Sequence, residues 1–208
     1  FGCPPDYGAF AAIGEKYQIP VIYDSAQGLG SKYRTTAGRW QFSGSYGEVE
    51  IFSMSPTKVI TAMEAGLITT ANAELAQKLR QMRDYGKTRD GEDIAWMGLS
   101  ARVPEVNAIV AYQNFRHMDA LIARRQEIMK MYREHLSGLP GVTFQKIPAD
   151  RQTSGNYFTI FIDPSEARKS RDEVHRILQE NQVQGKKYFF PALHLQRVYQ
   201  ELRQKYQG

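Results

Sequence analysis

A short apolar run that ends in an acid, Ile19-Pro20-Val21-Ile22-Tyr23-Asp24, limits the folds open to this chain more than any other feature. It is too short for a core helix. It directly follows a segment, Pro5 to Tyr17, in which Tyr7, Phe10, Ala11, Ile13 and Tyr17 recur at helical spacing and Asp6 is placed to cap the start. A helix feeding into such a run reads as part of a parallel α/β sheet, with the strand buried on both faces. Open sheets of this kind place their ligands at the carboxyl ends of the strands, where Asp24 stands. A lone aspartate there more often serves a turn or a cap, so position alone assigns it no role.

The same alternation of patterns continues. Val49 to Ser53 and Gly66 to Thr70 are further strand candidates, and a polar amphipathic helix is expected from Asn72, its N-cap, to about Asp84, with Gly86 as its stop. Lys87 to Gly98 reads as a loop. Beyond it Val103-Pro104-Glu105 opens a helical pattern that persists to Gly138, more than thirty residues and roughly 50 Å at ~1.5 Å per residue. A helix of that length must either bend, near Asp119, or bridge two domains. After Gly138, Val142 to Ile147 and Tyr157 to Ile162 alternate like half-buried antiparallel strands. Ser170 and Glu173 have capping-box spacing for a helix to Asn181, and Lys187 to Phe190 would be another strand. The expected boundary therefore lies near residue 138, with an α/β part at 1–138 that includes the long helix and a smaller α+β part at 139–208.

Bulk composition narrows the function classes. With 208 residues, 42% hydrophobic and 24% charged, the chain has the make-up of an ordinary globular protein. No apolar run approaches the ~18–20 residues that cross a bilayer, and no signal segment opens the chain at Phe1. The net charge of +5 comes from 27 basic and 22 acidic residues that are interleaved, as in Arg80, Arg83 and Asp84, which argues against nucleic acid as a partner. The single cysteine, Cys3, forms no internal disulfide and fits a cytoplasmic location. No metal site is expected.

Chemistry concentrates around Lys58. Ser53-Met54-Ser55-Pro56-Thr57-Lys58 brings three hydroxyls and a lysine to the sheet edge that also carries Asp24. A lysine desolvated in such a cleft can lose its proton and attack an aldehyde, although a lone loop lysine is ordinarily a solvated charge. Gly28-Leu29-Gly30 lacks the third glycine of a dinucleotide loop, and its acid precedes the glycines rather than following them.

Taken in order, Asp24-Ser25-Ala26-Gln27-Gly28-Leu29-Gly30-Ser31, Phe52-Ser53-Met54-Ser55-Pro56-Thr57-Lys58 and Glu64-Ala65-Gly66 resemble the sugar-nucleotide aminotransferases of the DegT/StrS family. The likeness extends through Arg83-Asp84-Tyr85-Gly86 and Gly98-Leu99-Ser100-Ala101-Arg102-Val103-Pro104-Glu105 to Tyr188-Phe189-Phe190-Pro191-Ala192-Leu193-His194. The resemblance implies the α/β fold type I architecture of transferases that use pyridoxal 5′-phosphate (PLP). A partial large domain would be followed by a partial small one.

The roles that follow are implied by the resemblance. Lys58 would hold PLP as a Schiff base and later shuttle the proton. Asp24, 34 positions earlier, would pair with the pyridinium nitrogen, which keeps the ring an electron sink. Gln27 would lie against the ring and Ser53 would donate to the phosphate. Ser100 stands where the family usually has an asparagine that reaches the phosphate of the neighbouring subunit. Tyr188 and His194 fall in a segment the family places near substrate, though Tyr188-Phe189-Phe190 reads equally as strand core. Ala65 replaces a common glycine. The family's Gly-Ser/Thr phosphate loop and stacking aromatic would lie before Phe1, and the end of the small domain after Gly208. A sheet without its first strands is expected to expose apolar edges and to aggregate.

The implied activity is transfer of an amino group, from glutamate, to a keto-sugar nucleotide by a homodimer. Keto-inositol acceptors stay open, because these residues hold cofactor and not sugar. Relatives that dehydrate instead carry histidine in place of the lysine, which Lys58 opposes. A non-catalytic remnant or partner-binding domain with the same fold is the alternative of a different class.

Overall fold

The structure is a computed structural model that describes residues 1–47 and 49–199. Helix α1, Tyr7–Tyr17, starts where expected: Asp6 Oδ1 accepts the Ala9 N–H at 3.0 Å. Gln18 ends it in a left-handed turn (φ 53°). Gly14 is obligatory at the join, since a Cβ there would meet Val21 Cγ2 at 2.7 Å. The chain then enters β1, Ile22–Asp24, which pairs in parallel with β4, Val49–Ser53; β5, Gly66–Thr69, runs antiparallel to β4. The connection between β4 and β5 holds no crossover helix, and the third expected strand reverses direction.

The register decides which residues share a face. Tyr23 is level with Glu50, and Asp24 with Ile51. Side chains alternate, so Tyr23, Glu50 and Phe52 lie on one face, all buried, while Ile22, Asp24, Ile51 and Ser53 lie on the other. That second face is open, and Ile22 is 64% exposed. This corrects the expectation of a strand buried on both sides.

The closed face holds a tyrosine cluster. Tyr7 stacks on Tyr46 at 4.9 Å and meets Tyr23 edge-on at 4.9 Å, with Tyr33 beside them. Within it the Glu50 carboxylate accepts hydrogen bonds from Tyr7 Oη at 2.7 Å, from Ser25 Oγ and from the Gly44 N–H at 2.5 Å. Tyr33 belongs to β2, Lys32–Arg34, which with β3, Trp40–Phe42, and β7, Arg151–Gln152, forms a small antiparallel sheet that the sequence pattern did not announce.

Helix α2, Ala73–Met82, is capped by Asn72 as expected. The long helical pattern breaks at His117 into α3, Glu105–Arg116, and α4, Met118–Leu136, two residues before the expected bend. The chain divides into two compact units. One takes Phe1–Leu136 and Phe144–Thr159; the other takes Ser137–Thr143 and the described residues from Ile160 onward. Residues 144–159 thus join the first unit rather than following a single boundary near 138. Arg151 pairs with Tyr33 in β2, and Phe158 stacks on Tyr132 of α4 at 5.2 Å.

Strands β6, Val142–Phe144, and β8, Ile160–Ile162, form a two-stranded sheet, both shorter than their patterns. Helix α5, Pro164–Ala167, leads to α6, Arg171–Glu180, which opens on the expected capping box: the Glu173 N–H donates to Ser170 Oγ and the Ser170 N–H to Glu173 Oε2. Lys187 to Phe190 is not a strand. Phe190 is held instead by two cations, Arg171 at 4.3 Å and Lys187 at 4.7 Å from its ring centre. Among the described residues no helix is long and apolar enough to cross a membrane.

Burial, together with the nearby Glu50 carboxylate, pushes the Tyr7 phenol far above its ordinary pKa of 10.0. The unfolded chain releases this proton first, so the group's contribution to stability is intact below about pH 10 and is lost as pH rises above it. Denaturant midpoints measured from pH 7 upward should fall beyond that point, and Tyr7→Phe should flatten part of the fall.

Candidate active site

Asp24 and Ser53 end two adjacent parallel strands on the same open face, and the ladder between them continues past Asp24, where the Ser25 N–H donates to Ile51 O at 2.9 Å. Asp24 Oδ1 accepts the Ala26 N–H at 3.0 Å, which turns the chain sharply after the strand. Gln27, half-buried, lies in the next turn, closed by Gly28 N–H to Ser25 O at 2.8 Å. Gly2 packs against this turn so tightly that a Cβ would meet Gln27 O at 2.6 Å.

Lys58 follows from the other strand end. Ser53 Oγ lies 3.3 Å from Ser55 Oγ, and the Lys58 N–H closes a turn onto Ser55 O at 3.0 Å. Pro56 and Thr57 are exposed, whereas Lys58 is half-buried. The residues just after it plunge inward: Val59, Ile60 and Ala62 are buried with Met54, and Leu29, Ala111, Met118 and Ile122 pack around them. Met54 also closes the loop through its backbone, donating to Ala65 O at 2.9 Å and accepting from Ala62 N–H at 2.8 Å.

Three asparagines that sequence reasoning missed secure this loop. From α3, Asn107 Nδ2 donates to Glu64 O at 2.9 Å and Asn114 Nδ2 to Thr61 O at 2.8 Å. Asn156 Oδ1 accepts the Val59 N–H at 2.9 Å. The only sequence signal was two asparagines seven apart on one predicted helix, which identifies no partner. A separate cleft, lined by Leu121, Arg125, Met129, Gly155 and Asn156, lies along α4 and not at the edge formed by Asp24, Ser53 and Lys58.

The remaining expected residues are placed elsewhere. Ser100 is exposed and bridges to Asp84; its hydroxyl and the Arg102 guanidinium hold the neighbouring Tyr85 phenol below its usual pKa. Tyr188 and His194 belong to the second unit, Tyr188 stacked on Phe189 at 3.9 Å and His194 exposed in a single 3₁₀ turn, Leu193–Leu195.

The donor set of the first unit fits PLP: a carboxylate for a ring nitrogen, paired serine hydroxyls for a phosphate, and a primary amine on a braced loop. Ile60, two residues after Lys58, is fully buried. Ile60→Ala should cost about 2–4 kcal/mol in unfolding free energy. It should also speed proteolysis of the 54–65 loop, and unchanged cleavage there would show that the buried plug does not hold the loop.

The family model for DegT/DnrJ/EryC1/StrS aminotransferases matches residues 1–208. A dTDP-4-amino-4,6-dideoxy-D-glucose transaminase of Shigella dysenteriae is 29% identical over 197 residues, 93% of this chain and 51% of that protein. Among solved structures, a DegT/DnrJ/EryC1/StrS aminotransferase from Brucella abortus shares 26% identity at a TM-score of 0.84, over 95% of this chain and 50% of that one. DesV of S. venezuelae, solved with a ketimine intermediate, shares 27% identity at a TM-score of 0.85, over 96% and 51%. The chain therefore spans about half the length of the relatives it matches. Aminotransferases of this family use PLP. With its open α/β sheet, its Asp24–Lys58 edge and a match along its whole length, this chain belongs to the DegT/DnrJ/EryC1/StrS aminotransferase family.

Proposed function

We propose that Lys58 binds PLP covalently and that the protein formed by this chain transfers an amino group from an amino-acid donor, glutamate, to a keto-sugar nucleotide. The observation that carries the reading is the register of β1 on β4, which puts Asp24 and Ser53 on one open face at adjoining strand ends, with Lys58 on the braced loop that follows. The name of the Shigella dysenteriae relative supports a sugar acceptor over a keto-inositol.

PLP, when bound, supplies the electron sink that makes the donor's carbon acidic. The chain's own residues do the rest. Asp24 holds a proton on the pyridine nitrogen by placing a carboxylate against it. Ser53, with Ser55 beside it, anchors the phosphate by hydroxyl donation. Gln27 lies along the ring. Lys58 Nζ, as a free amine, would take the proton from the donor's α-carbon. Ser100 offers a shorter donor than the family's asparagine to a phosphate in the neighbouring subunit, and the family resemblance alone assigns Tyr188 and His194 to substrate.

A homodimer is part of the same reading. Val106, Ile109 and Tyr112, at helical spacing along α3, are each about 60% exposed, an apolar stripe that suits a second copy. The lone cysteine and interleaved charges suit a cytoplasmic enzyme without nucleic-acid or membrane partners.

Purified chain with added PLP should show the visible absorbance of a lysine-bound cofactor, and Lys58→Ala should abolish it. Asp24→Asn should keep the band while slowing amino transfer by about 100-fold or more, the scale on which loss of a catalytic charge is felt. No band in the unsubstituted chain would instead support a non-catalytic domain that retains the family fold.

A further inference from the structure

We propose that Asn156 is a positioning residue for Lys58: by accepting the N–H of Val59 it fixes the peptide unit that joins Lys58 to the core. The inference rests on the reading of Lys58 as the PLP-binding lysine. Val59 is buried, so its backbone N–H must find a partner or cost as much as a lost hydrogen bond. The loop's own backbone does not supply one. Met54 carries the loop closure through Ala62 and Ala65, and the Lys58 N–H is used in the turn onto Ser55. The partner comes from 97 residues away: Asn156 Oδ1 at 2.9 Å.

Asn156 is itself held rigidly. It is only 7% exposed and sits in the segment Thr153-Ser154-Gly155-Asn156, which is clamped from two sides. The Ser154 N–H donates to Ser31 Oγ at 2.9 Å, and Ser31 Oγ donates to Gly2 O at 2.7 Å. From α4, Gln126 donates to Thr153 O, and Arg125 donates to Gly155 O at 3.2 Å. Gly155 has φ +75°, and a Cβ there would meet Arg125 Cβ at 2.9 Å, so the segment can lie this close to α4 only with glycine. Asn107 and Asn114 grip carbonyls farther along the loop; Asn156 grips the amide next to Lys58.

A second feature separates Asn156 from a generic core contact. Its Nδ2 has no hydrogen-bond partner among the described residues, though buried. The bond that this side chain makes through its acceptor oxygen goes to the Val59 amide. The functional consequence is geometric. A cofactor that Ser53 and Asp24 would hold could bond only to an amine at a set place, so slack at Lys58 would appear as lost cofactor affinity.

Hydrogen exchange and PLP titration on the full chain test this. In Asn156→Ser, whose side chain is too short to reach Val59, the Val59 amide should exchange about tenfold faster without cofactor, the scale of one buried hydrogen bond, while the Ser25 amide keeps its rate. PLP should bind about tenfold more weakly, and Asn156→Asp, which retains an acceptor oxygen, should recover most of both losses. Unchanged Val59 exchange in the serine variant overturns the proposal, as does an equal rise at Ser25, which would mean general loosening. If Asn156→Ser does not fold, the unsubstituted chain decides: a scalar coupling between the Val59 amide nitrogen and the Asn156 side-chain carbonyl carbon is expected, and its absence overturns the proposal. Absence of the lysine-dependent PLP band sinks the reading of Lys58 instead, and the exchange data do not depend on it.

Discussion

The Glu50 carboxylate is the tie on which the rest of the first unit depends. It is 1% exposed and forms no ion pair among the described residues; its oxygens are met by Tyr7 of α1, Ser25 at the end of β1 and the Gly44 amide in the turn after β3. Removing this acceptor would strand several donors at once, each at the cost of a lost hydrogen bond. One side chain thus locks a helix, a strand end and the entry to the central strand into a single register. Because Ser25 directly follows Asp24, the tie on the closed face also sets where the acid on the open face ends.

That two-faced character explains what could be read from the sequence. Caps are local devices, so Asp6, Asn72 and the Ser170–Glu173 box were legible at sight and stand where expected. The first strand was legible from its position after a helix, but its alternation was hidden, because Ile22, Tyr23 and their neighbours are apolar whichever face they serve. The three-residue strands β2 and β3 were invisible for a different reason. Lys32-Tyr33-Arg34 has too little pattern to announce a strand, and its partner β7 arrives from more than a hundred residues away. Lys187 to Phe190 erred the other way: aromatic residues suggested a ladder, yet cations claimed Phe190.

The site divides along the same line. Asp24, Ser53 and Lys58 stand out because their spacing and neighbours form a family pattern, and the strand register then brings the acid and the serine to one edge. What braces them carries no such pattern. An asparagine in a helix or after a glycine looks the same whether it faces water or a loop carbonyl, and only the fold tells Asn107, Asn114 and Asn156 apart from solvated ones. Supporting residues of this kind are fixed by the position of a backbone group, not by the chemistry they join.

Helix α3 shows how bracing and assembly can act on the same element. Asn107, Ala111 and Asn114 recur on one side and hold the Lys58 loop, while Val106, Ile109 and Tyr112 recur on the opposite side and are open. A helix gripping a loop on one face while its other face is exposed has only half of its packing. In the homodimer proposed above, covering the apolar side would add burial worth roughly 25 cal/mol per Å² on the face that the loop contacts leave open.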